Sequence, residues 1–179
     1  LQKIISRELP PTSHALISVG QIHGGSAFNI IPDEVFIEGT VRVTDENERN
    51  FIAKRIEEIA SGISKSYRAE AKTVYDFRYP VLINNEDFTE FFIESTKEIL
   101  GEDSIHEISV PTMAGEDMAY FLQKAPGTFF VLSNPIIQKD GSIYPHHSDK
   151  FDMDESLFYK GTSAVLAAVL KYLNLGGLK

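Results

Sequence analysis

The residues best suited to ligand chemistry lie in one stretch of the sequence, Gly24 to Arg42, which reads GGSAFNIIPDEVFIEGTVR. An arginine is always charged and can hold a carboxylate through two parallel hydrogen bonds. We therefore expect Asn29 and Arg42 to face a common site and to bind an anion there, such as a carboxylate. The alternative is a β-hairpin with a loose loop and an arginine in solvent, where arginine side chains usually lie.

A second candidate site is the stretch YPHHSDKFDMDE, from Tyr144 to Glu155. Its adjacent histidines, His146 and His147, stand beside several carboxylates and could supply a metal ligand. Adjacent residues rarely bind the same ion, so we expect one of the two at most to do so. The alternative is a solvated loop without a metal, because the spacing is not that of HExxH or another self-sufficient zinc motif.

A third candidate is GEDMAYF, from Gly115 to Phe121. Glu116 and Asp117 stand at the start of a predicted helix, where the helix dipole and the unpaired N–H groups favour carboxylates. That position alone explains both residues, and the functional alternative makes one of them a wall of an active site. The sequence contains no GxSxG motif, no P-loop and no cysteine–histidine pair.

Strand alternation decides where Arg42 points. Arg42 falls on the more polar face of a predicted strand that ends at Val43, because successive side chains of a strand point to opposite faces. The apolar face of this strand carries Val35, Ile37, Val41 and Val43. In the preceding strand, the same alternation predicts that Ile17 and Ile22 lie on opposite faces.

Residues 1–80 are predicted to form a small α/β unit. Four isoleucines at helical spacing form one stripe of a helix that Asp45 can cap, with Glu48 in capping-box position. The predicted elements are a helix end at Leu1–Glu8, strands at Ala15–Ile22 and up to Val43, a helix at Asp45–Tyr67 and a strand at Ala69–Tyr79. This order is that of a ferredoxin-like βαββαβ unit lacking its first strand and most of its first helix.

Residues 81–179 are predicted to form a separate segment. The net charge is −1 over residues 1–80 and −8 over residues 81–179, and all six arginines precede Pro80. The predicted elements are a helix from Asn84 or Asn85 to Leu100, a short helix at Glu116–Gln123, a buried strand at Thr128–Leu132 and a last helix at Asp154–Leu173. We therefore expect an α/β protein with a boundary near Pro80.

Composition excludes several classes of protein. With 42% apolar and 24% charged residues, the chain resembles an ordinary globular protein, and no apolar run approaches the ~20 residues of a membrane span. The net charge of −9 argues against nucleic-acid binding. The absence of cysteine rules out disulfides and thiolate ligands in this chain and favours a cytoplasmic location. The first residues do not form a signal peptide, and the missing initiator methionine suggests a piece of a longer chain.

Taken together and in this order, three stretches resemble one family along nearly the whole chain. They are GGSAFNIIPDEVFIEGTVR, PTMAGEDMAYFL and HHSDKFDMDE. They are similar to the zinc-dependent aminoacylase and carboxypeptidase family, in the branch of hippurate hydrolase and the auxin-conjugate amidohydrolases. The resemblance implies hydrolysis of the amide bond of N-acyl amino acids or small peptides with a free carboxylate. It also implies a catalytic α/β domain of metallopeptidase type with an inserted ferredoxin-like lid that pairs two subunits.

On this resemblance each candidate residue acquires a role. His147, directly before Ser148, matches the C-terminal metal ligand of the family, and Asn29 and Arg42 match residues that hold the substrate carboxylate. Glu116 and Asp117 match an active-site segment. The implied cofactor is zinc or another divalent metal (manganese, cobalt or nickel), with two ions in each intact subunit.

The resemblance divides the chain into a lid and dimerisation domain, residues 1–80, and a C-terminal segment of the catalytic domain, residues 81–179. The other metal ligands and the glutamate general base of the family lie upstream of the lid and have no match here. Asp149 also stands where relatives usually have proline. We therefore expect this chain to be inactive by itself. The alternative function is that of a non-enzymatic dimerisation or small-ligand-binding module.

Overall fold

The structure, a computed structural model, describes residues 1–174 and divides into two compact units. The first unit consists of Leu1–Leu82 and Ser109–Tyr120, and the second of Ile83–Ile108 and the chain from Phe121 onward. The first division point lies just beyond Pro80. Residues 109–120 group with the first unit, although the sequence division assigned them to the second. The roles of lid and catalytic segment stay predictions.

A β-hairpin lies at the centre of the first unit. Its strands are β1 (Ala15–Gly24) and β2 (Val35–Val43), which pair antiparallel with Ala15 opposite Val43. Both predicted strands are confirmed. They form because alternating apolar residues on either side of a glycine-containing loop favour such a pair. In the described residues these two strands form the whole of the sheet.

A β-bulge corrects the predicted faces of β1. The pairing shifts by one residue between Val19 and Gln21, so that Ile22 lies opposite Ile37. Ile37 shares its face of β2 with Val41, the partner of Ile17. Ile22 therefore lies on the face of Ile17 and not on the opposite one, because one extra residue inverts the alternation.

Helix α1 (Glu46–Ser66) supplies the core of the first unit. Ile52 is fully buried and packs in one cluster with Ile17 and Ile4. Ile4 belongs to a π-helical turn at Ile4–Glu8. Burying such a side chain contributes about 2–3 kcal/mol. The predicted stripe is confirmed except at Ile63, which is 58% exposed.

The predicted cap of α1 is confirmed. The Asp45 carboxylate accepts hydrogen bonds from the backbone N–H groups of Asn47 at 2.8 Å and Glu48 at 3.0 Å. Such a cap contributes about 1 kcal/mol. Glu48 does not complete a capping box, because its carboxylate accepts a hydrogen bond from the Ser13 hydroxyl instead.

The strand predicted at Ala69–Tyr79 is wrong, since the segment forms no ladder. Side chains hold its C-terminal end in place of a neighbouring strand. Arg49 Nη2 donates to the Arg78 carbonyl at 3.0 Å, and the Val81 N–H donates to Glu46 Oε1 at 2.7 Å. Alternation indicates an extended chain with two faces, but a strand also needs a partner for its backbone groups.

Two long helices form the core of the second unit. Helix α2 (Glu86–Leu100) and helix α4 (Phe158–Asn174) pack through Phe91, Phe92, Ala164 and Ala168. Helix α3 (Met118–Leu122) is shorter than predicted. Helix α4 begins four residues later than predicted, because Asp154 caps a separate 3-10 turn at Glu155–Leu157. Another 3-10 turn lies at Glu102–Ser104.

The strand predicted at Thr128–Leu132 is also wrong. The amide of Asn84 takes the place of a strand neighbour, because its Nδ2 donates to the Phe129 carbonyl at 2.9 Å and its Oδ1 accepts from the Phe129 N–H at 2.8 Å. The Asn85 N–H also donates to the Gly127 carbonyl at 3.0 Å. A side chain thus satisfies backbone groups that the sequence assigned to a sheet.

The described residues confirm a mixed α/β fold. The ferredoxin-like lid and the metallopeptidase-type catalytic domain stay predictions, because the sheet has two strands. Among residues 1–174, no helix combines the length and the apolar character needed to span a bilayer.

Candidate functional site

Arg42 lies on the solvent-facing side of the hairpin, as predicted. Its neighbours in β2, Val41 and Val43, pack against the core of the first unit, so the Arg42 side chain points to the other face. Arg42 is exposed and forms no salt bridge with any described residue, whereas Arg49, Arg55 and Arg78 each pair with a carboxylate. Its positive charge is therefore available to an external anion.

The Arg42 guanidinium lies against the backbone of Gly115. A Cβ atom built at Gly115 would stand 2.8 Å from Arg42 Nη1 and 3.2 Å from Tyr79 Cδ2. Glu116 and Asp117 follow immediately in the chain. The structure thus brings the predicted anion-binding arginine next to the predicted carboxylate segment, although the two lie far apart in the sequence.

Two tyrosines hold this segment in the first unit. The Tyr120 hydroxyl donates a hydrogen bond to the Arg78 carbonyl at 2.9 Å. The rings of Tyr79 and Tyr120 pack edge to face, with centroids 6.2 Å apart. The segment therefore has a polar and an aromatic attachment close to Gly115.

Glu116 and Asp117 precede α3, whose first residue is Met118. Glu116 Oε1 accepts a hydrogen bond from the Met118 N–H at 3.3 Å, and the two backbone carbonyls accept from Ala119 and Tyr120. Glu116 is partly buried and Asp117 is exposed. Both carboxylates thus have the positions at a helix start that their sequence context indicates, and a part in the reaction stays a prediction.

Asn29 is not brought next to Arg42 within one chain. It is exposed in the loop that joins β1 to β2, whereas Arg42 lies near the opposite end of β2. Seven residue steps separate Val35 from Arg42, which is about 23 Å along a strand. The common site expected for these two residues is therefore absent from the described part of a single chain, and the role of Asn29 stays a prediction.

His147 lies in the second unit with an unusual backbone conformation. Its φ is +69°, in the left-handed region, where histidine is enriched relative to most other residues with a side chain. A hydrogen bond from the Ser148 N–H to the Pro145 carbonyl closes the turn around it. Such a conformation costs about 1–3 kcal/mol and occurs preferentially at functional sites.

The two adjacent histidines differ in their surroundings. The His146 ring stacks on Phe151, with ring centroids 4.7 Å apart and planes 29° apart. Both side chains are exposed, and the His147 ring stacks on no described aromatic residue. His147 is therefore the better placed of the two to bind a ligand from outside.

Residues 1–174 contain no group of three histidine, aspartate or glutamate side chains that could hold a metal ion. An imidazole is a suitable ligand for zinc and related ions, but a catalytic zinc needs about three protein ligands. The residues described here therefore do not complete a metal site.

A groove of about 720 Å³ runs along one side of α4, and none of the predicted site residues lines it. Its lining is mostly apolar: Phe130, Leu132, Gly161, Thr162, Val165, Leu166 and Val169. A lining without titratable groups offers no acid, base or metal ligand, so the groove is not a candidate for the chemistry.

Comparison with known proteins decides the family. Residues 11–171 match Peptidase family M20/M25/M40. The chain belongs to this family. The family predicted from the three motifs is thereby confirmed, because M20 relatives of this chain include carboxypeptidases, amidohydrolases and a hippurate hydrolase.

Three relatives illustrate how this M20 chain compares with longer proteins. It is 37% identical to thermostable carboxypeptidase 1 of Saccharolobus solfataricus, over 96% of this chain and 42% of that protein. It is 32% identical to the hippurate hydrolase of Campylobacter jejuni, over 97% of this chain and 44% of that protein. It is also similar to the solved YXEP protein of Bacillus subtilis, a dinuclear metal binding peptidase from the M20 family, at 27% identity and a TM-score of 0.70. That match covers 87% of this chain and 42% of that one.

The M20 chain therefore spans less than half the length of these relatives.

The sequence did not lead us to predict Gly115 and Tyr79 as neighbours of Arg42. The available signal was the glycine directly before Glu116, which in a loop can mark a close approach of another group. Tyr79 gave no such signal, because it fitted the alternating pattern of the strand predicted there.

Proposed function

We propose that this chain is the C-terminal portion of a metal-dependent amidohydrolase that cleaves N-acyl amino acids or small peptides with a free carboxylate. The names of the M20 relatives, among them a hippurate hydrolase and a carboxypeptidase, support hydrolysis of such amides. The observation that carries the proposal is the exposed, unneutralised guanidinium of Arg42 beside the segment of Glu116 and Asp117. An exposed guanidinium that forms no salt bridge with a described carboxylate is suited to bind the anionic end of a small substrate.

Within this proposal, Arg42 holds the substrate carboxylate and fixes its orientation. Glu116 and Asp117 line the site. Asn29 of the partner subunit in the proposed homodimer is a second contact to the same anion, because within one chain Asn29 lies at the opposite end of the hairpin from Arg42. Holding one end of a small substrate lowers the entropic cost of placing its amide bond for attack.

His147 is the proposed metal ligand in this portion of the enzyme. The similarity to the dinuclear metal binding peptidase of Bacillus subtilis supports the proposal that the intact protein binds divalent metal ions. We propose zinc, manganese, cobalt or nickel, with two ions in each intact subunit. The remaining ligands and the glutamate general base would come from the rest of the polypeptide.

The functional test is hydrolysis of hippurate (N-benzoylglycine) by the full-length protein. We expect release of benzoate and glycine, loss of activity after treatment with a chelator and recovery on adding back one of the four metals. Residues 1–179 expressed by themselves are expected to be inactive and to bind zinc weakly. A full-length protein that binds hippurate but cleaves it with none of the four metals would contradict the proposal and favour a small-ligand-binding module.

Residues 1–80 form the proposed lid and the interface of a proposed homodimer. Both outer edges of the hairpin lack a neighbouring strand in the described residues, and unpaired edge groups favour pairing with another chain. The half of the hairpin nearest its loop is also apolar and exposed. Its exposed apolar residues are Val19, Ile22, Val35, Phe36 and Ile37.

We expect light scattering to detect a dimer and the Ile37→Lys variant to be a monomer, because a buried unpaired ammonium opposes association. Ile63→Lys is the matched control, since Ile63 on α1 is 58% exposed and Ile37 is 57% exposed. A monomeric unsubstituted protein would contradict the dimer, and a dimer that persists in Ile37→Lys would move the interface away from the hairpin.

A further inference from the structure

Gly115 differs from the other described glycines because a charged group fills the space of its missing side chain, whereas apolar side chains fill that space at Gly24 and Gly127. Some of the others adopt a positive φ, which favours glycine for backbone reasons, and Gly39 lies against the backbone of Ser18. Gly115 has no positive φ, so its backbone conformation is not of the left-handed kind that favours glycine. What fills the space of its missing side chain is the Arg42 guanidinium, with Nη1 2.8 Å from the position of a Cβ.

A methyl group at position 115 could not coexist with Arg42 as it now lies. Carbon and nitrogen atoms that do not bond to each other pack at about 3.5 Å or more, so one of the two groups must move. The guanidinium is the far end of a flexible side chain on an exposed face, and its displacement costs the fold little. The same displacement moves the positive charge of Arg42 away from its position beside Gly115.

The segment that carries Gly115 is less free to move. Tyr120 attaches it to the Arg78 carbonyl, which also accepts a hydrogen bond from Arg49 Nη2 at 3.0 Å. Tyr79 lies 3.2 Å from the same Cβ position and packs on the Tyr120 ring. A side chain at position 115 would therefore displace Arg42 before it displaced the segment.

We infer that Gly115 is a positioning residue for carboxylate binding: its lack of a side chain sets where the Arg42 guanidinium lies and so determines the preference for substrates with a free carboxylate. This inference rests on the proposed function, in which Arg42 holds the carboxylate. It adds that the carboxylate specificity depends on a residue that touches the arginine and not the substrate.

The test is the Gly115→Ala variant of the full-length protein. We expect KM for hippurate to rise about tenfold, the effect of losing about one charge-assisted hydrogen bond, with kcat changed less than about twofold. Hippuramide, which has a neutral amide in place of the carboxylate, should show no change in KM. The thermal midpoint should also stay unchanged, which separates displacement of Arg42 from damage to the fold.

Gly62→Ala is the matched control. Gly62 lies in α1 with no atom within 4 Å of its Cβ position, so the same substitution should leave both KM values unchanged and slightly raise stability. A Gly115→Ala variant with an unchanged KM for hippurate, or one that loses hippurate and hippuramide binding equally, would overturn the inference.

A double-mutant cycle tests whether Gly115 acts through Arg42. In an Arg42→Ala background, Gly115→Ala should have no further effect, because no guanidinium remains to be displaced. Additive effects would overturn the inference. The dissociation constant of hippurate, measured by calorimetry on chelator-treated protein, should follow the same pattern without any turnover.

The two proposals can fail separately. If Arg42→Ala does not alter the preference for hippurate over hippuramide, the proposed carboxylate role is wrong, and the inference about Gly115 falls with it. If Arg42→Ala removes that preference and Gly115→Ala retains it, the proposed role of Arg42 stands and only the inference about Gly115 is wrong.

Discussion

Replacing Arg42 by alanine in the full-length enzyme is expected to raise KM for hippurate by about 10- to 100-fold. A hydrogen-bonded charge contributes about 1.5–3 kcal/mol, and each 1.4 kcal/mol corresponds to a factor of ten in affinity. The guanidinium holds the carboxylate in the ground state and in the transition state alike, so kcat should change only a few-fold. Steady-state kinetics on hippurate and hippuramide measure both quantities.

Two further variants sharpen this experiment. Arg42→Lys keeps the charge but loses the planar fork, so it should fall between alanine and the unsubstituted enzyme. Arg7→Ala removes another exposed arginine and should leave KM unchanged. If Arg42→Ala lost as much activity on hippuramide as on hippurate, Arg42 would serve the fold or the reaction and not the carboxylate.

Replacing His147 is expected to reduce kcat by at least about 100-fold and to lower the metal content. Loss of a group that only supports a metal ligand typically costs 10- to 100-fold, and loss of the ligand itself should cost no less. The informative variant is His147→Gly, because glycine adopts a φ of +69° without strain. His147→Ala would combine loss of the imidazole with backbone strain.

His146→Ala is the matched control for this experiment. The His146 ring stacks on Phe151, so its loss should affect local packing and leave metal content near normal. Elemental analysis after dialysis against a weak chelator measures the metal, and added metal should rescue His147→Gly only in part. Normal kcat and metal content in His147→Gly would show that His147 is not a ligand, and loss of metal in His146→Ala would transfer that role to His146.

Elements with a local signal could be predicted from the sequence. The isoleucine stripe and Asp45 predicted α1. Asn84 or Asn85 was the predicted start of α2 and Gly101 its predicted end, and the structure has Asn85 as the cap. Such signals are local because a helix forms its hydrogen bonds within one segment. The two strands of the hairpin were predicted for a similar reason, since their partners are close in sequence. The M20 family was predicted from three motifs in order, and that prediction is confirmed.

Features that depend on distant partners could not be predicted in this way. The extended segments at 69–79 and 128–132 have strand-like patterns, but Asn84 and Arg49 bond to backbone groups that a strand neighbour would have taken. One extra residue after Val19 changed the face of Ile22, and alternation does not reveal a bulge. The approach of Gly115 to Arg42 is a tertiary contact, and only the glycine itself can be recognised in the sequence.

The interrupted first unit has a consequence for separating this protein into parts. The chain passes from one unit to the other after Leu82, Ile108 and Tyr120, so cleavage at any one of these points leaves the units covalently joined. A gene truncated after Leu82 would encode Arg42 and Tyr79 without Gly115 or Tyr120. Such a shortened protein would retain the arginine but not its neighbours, and its affinity for carboxylates would not report on the intact site. A shortened gene that is meant to preserve this site has to encode both segments of the first unit, Leu1–Leu82 and Ser109–Tyr120.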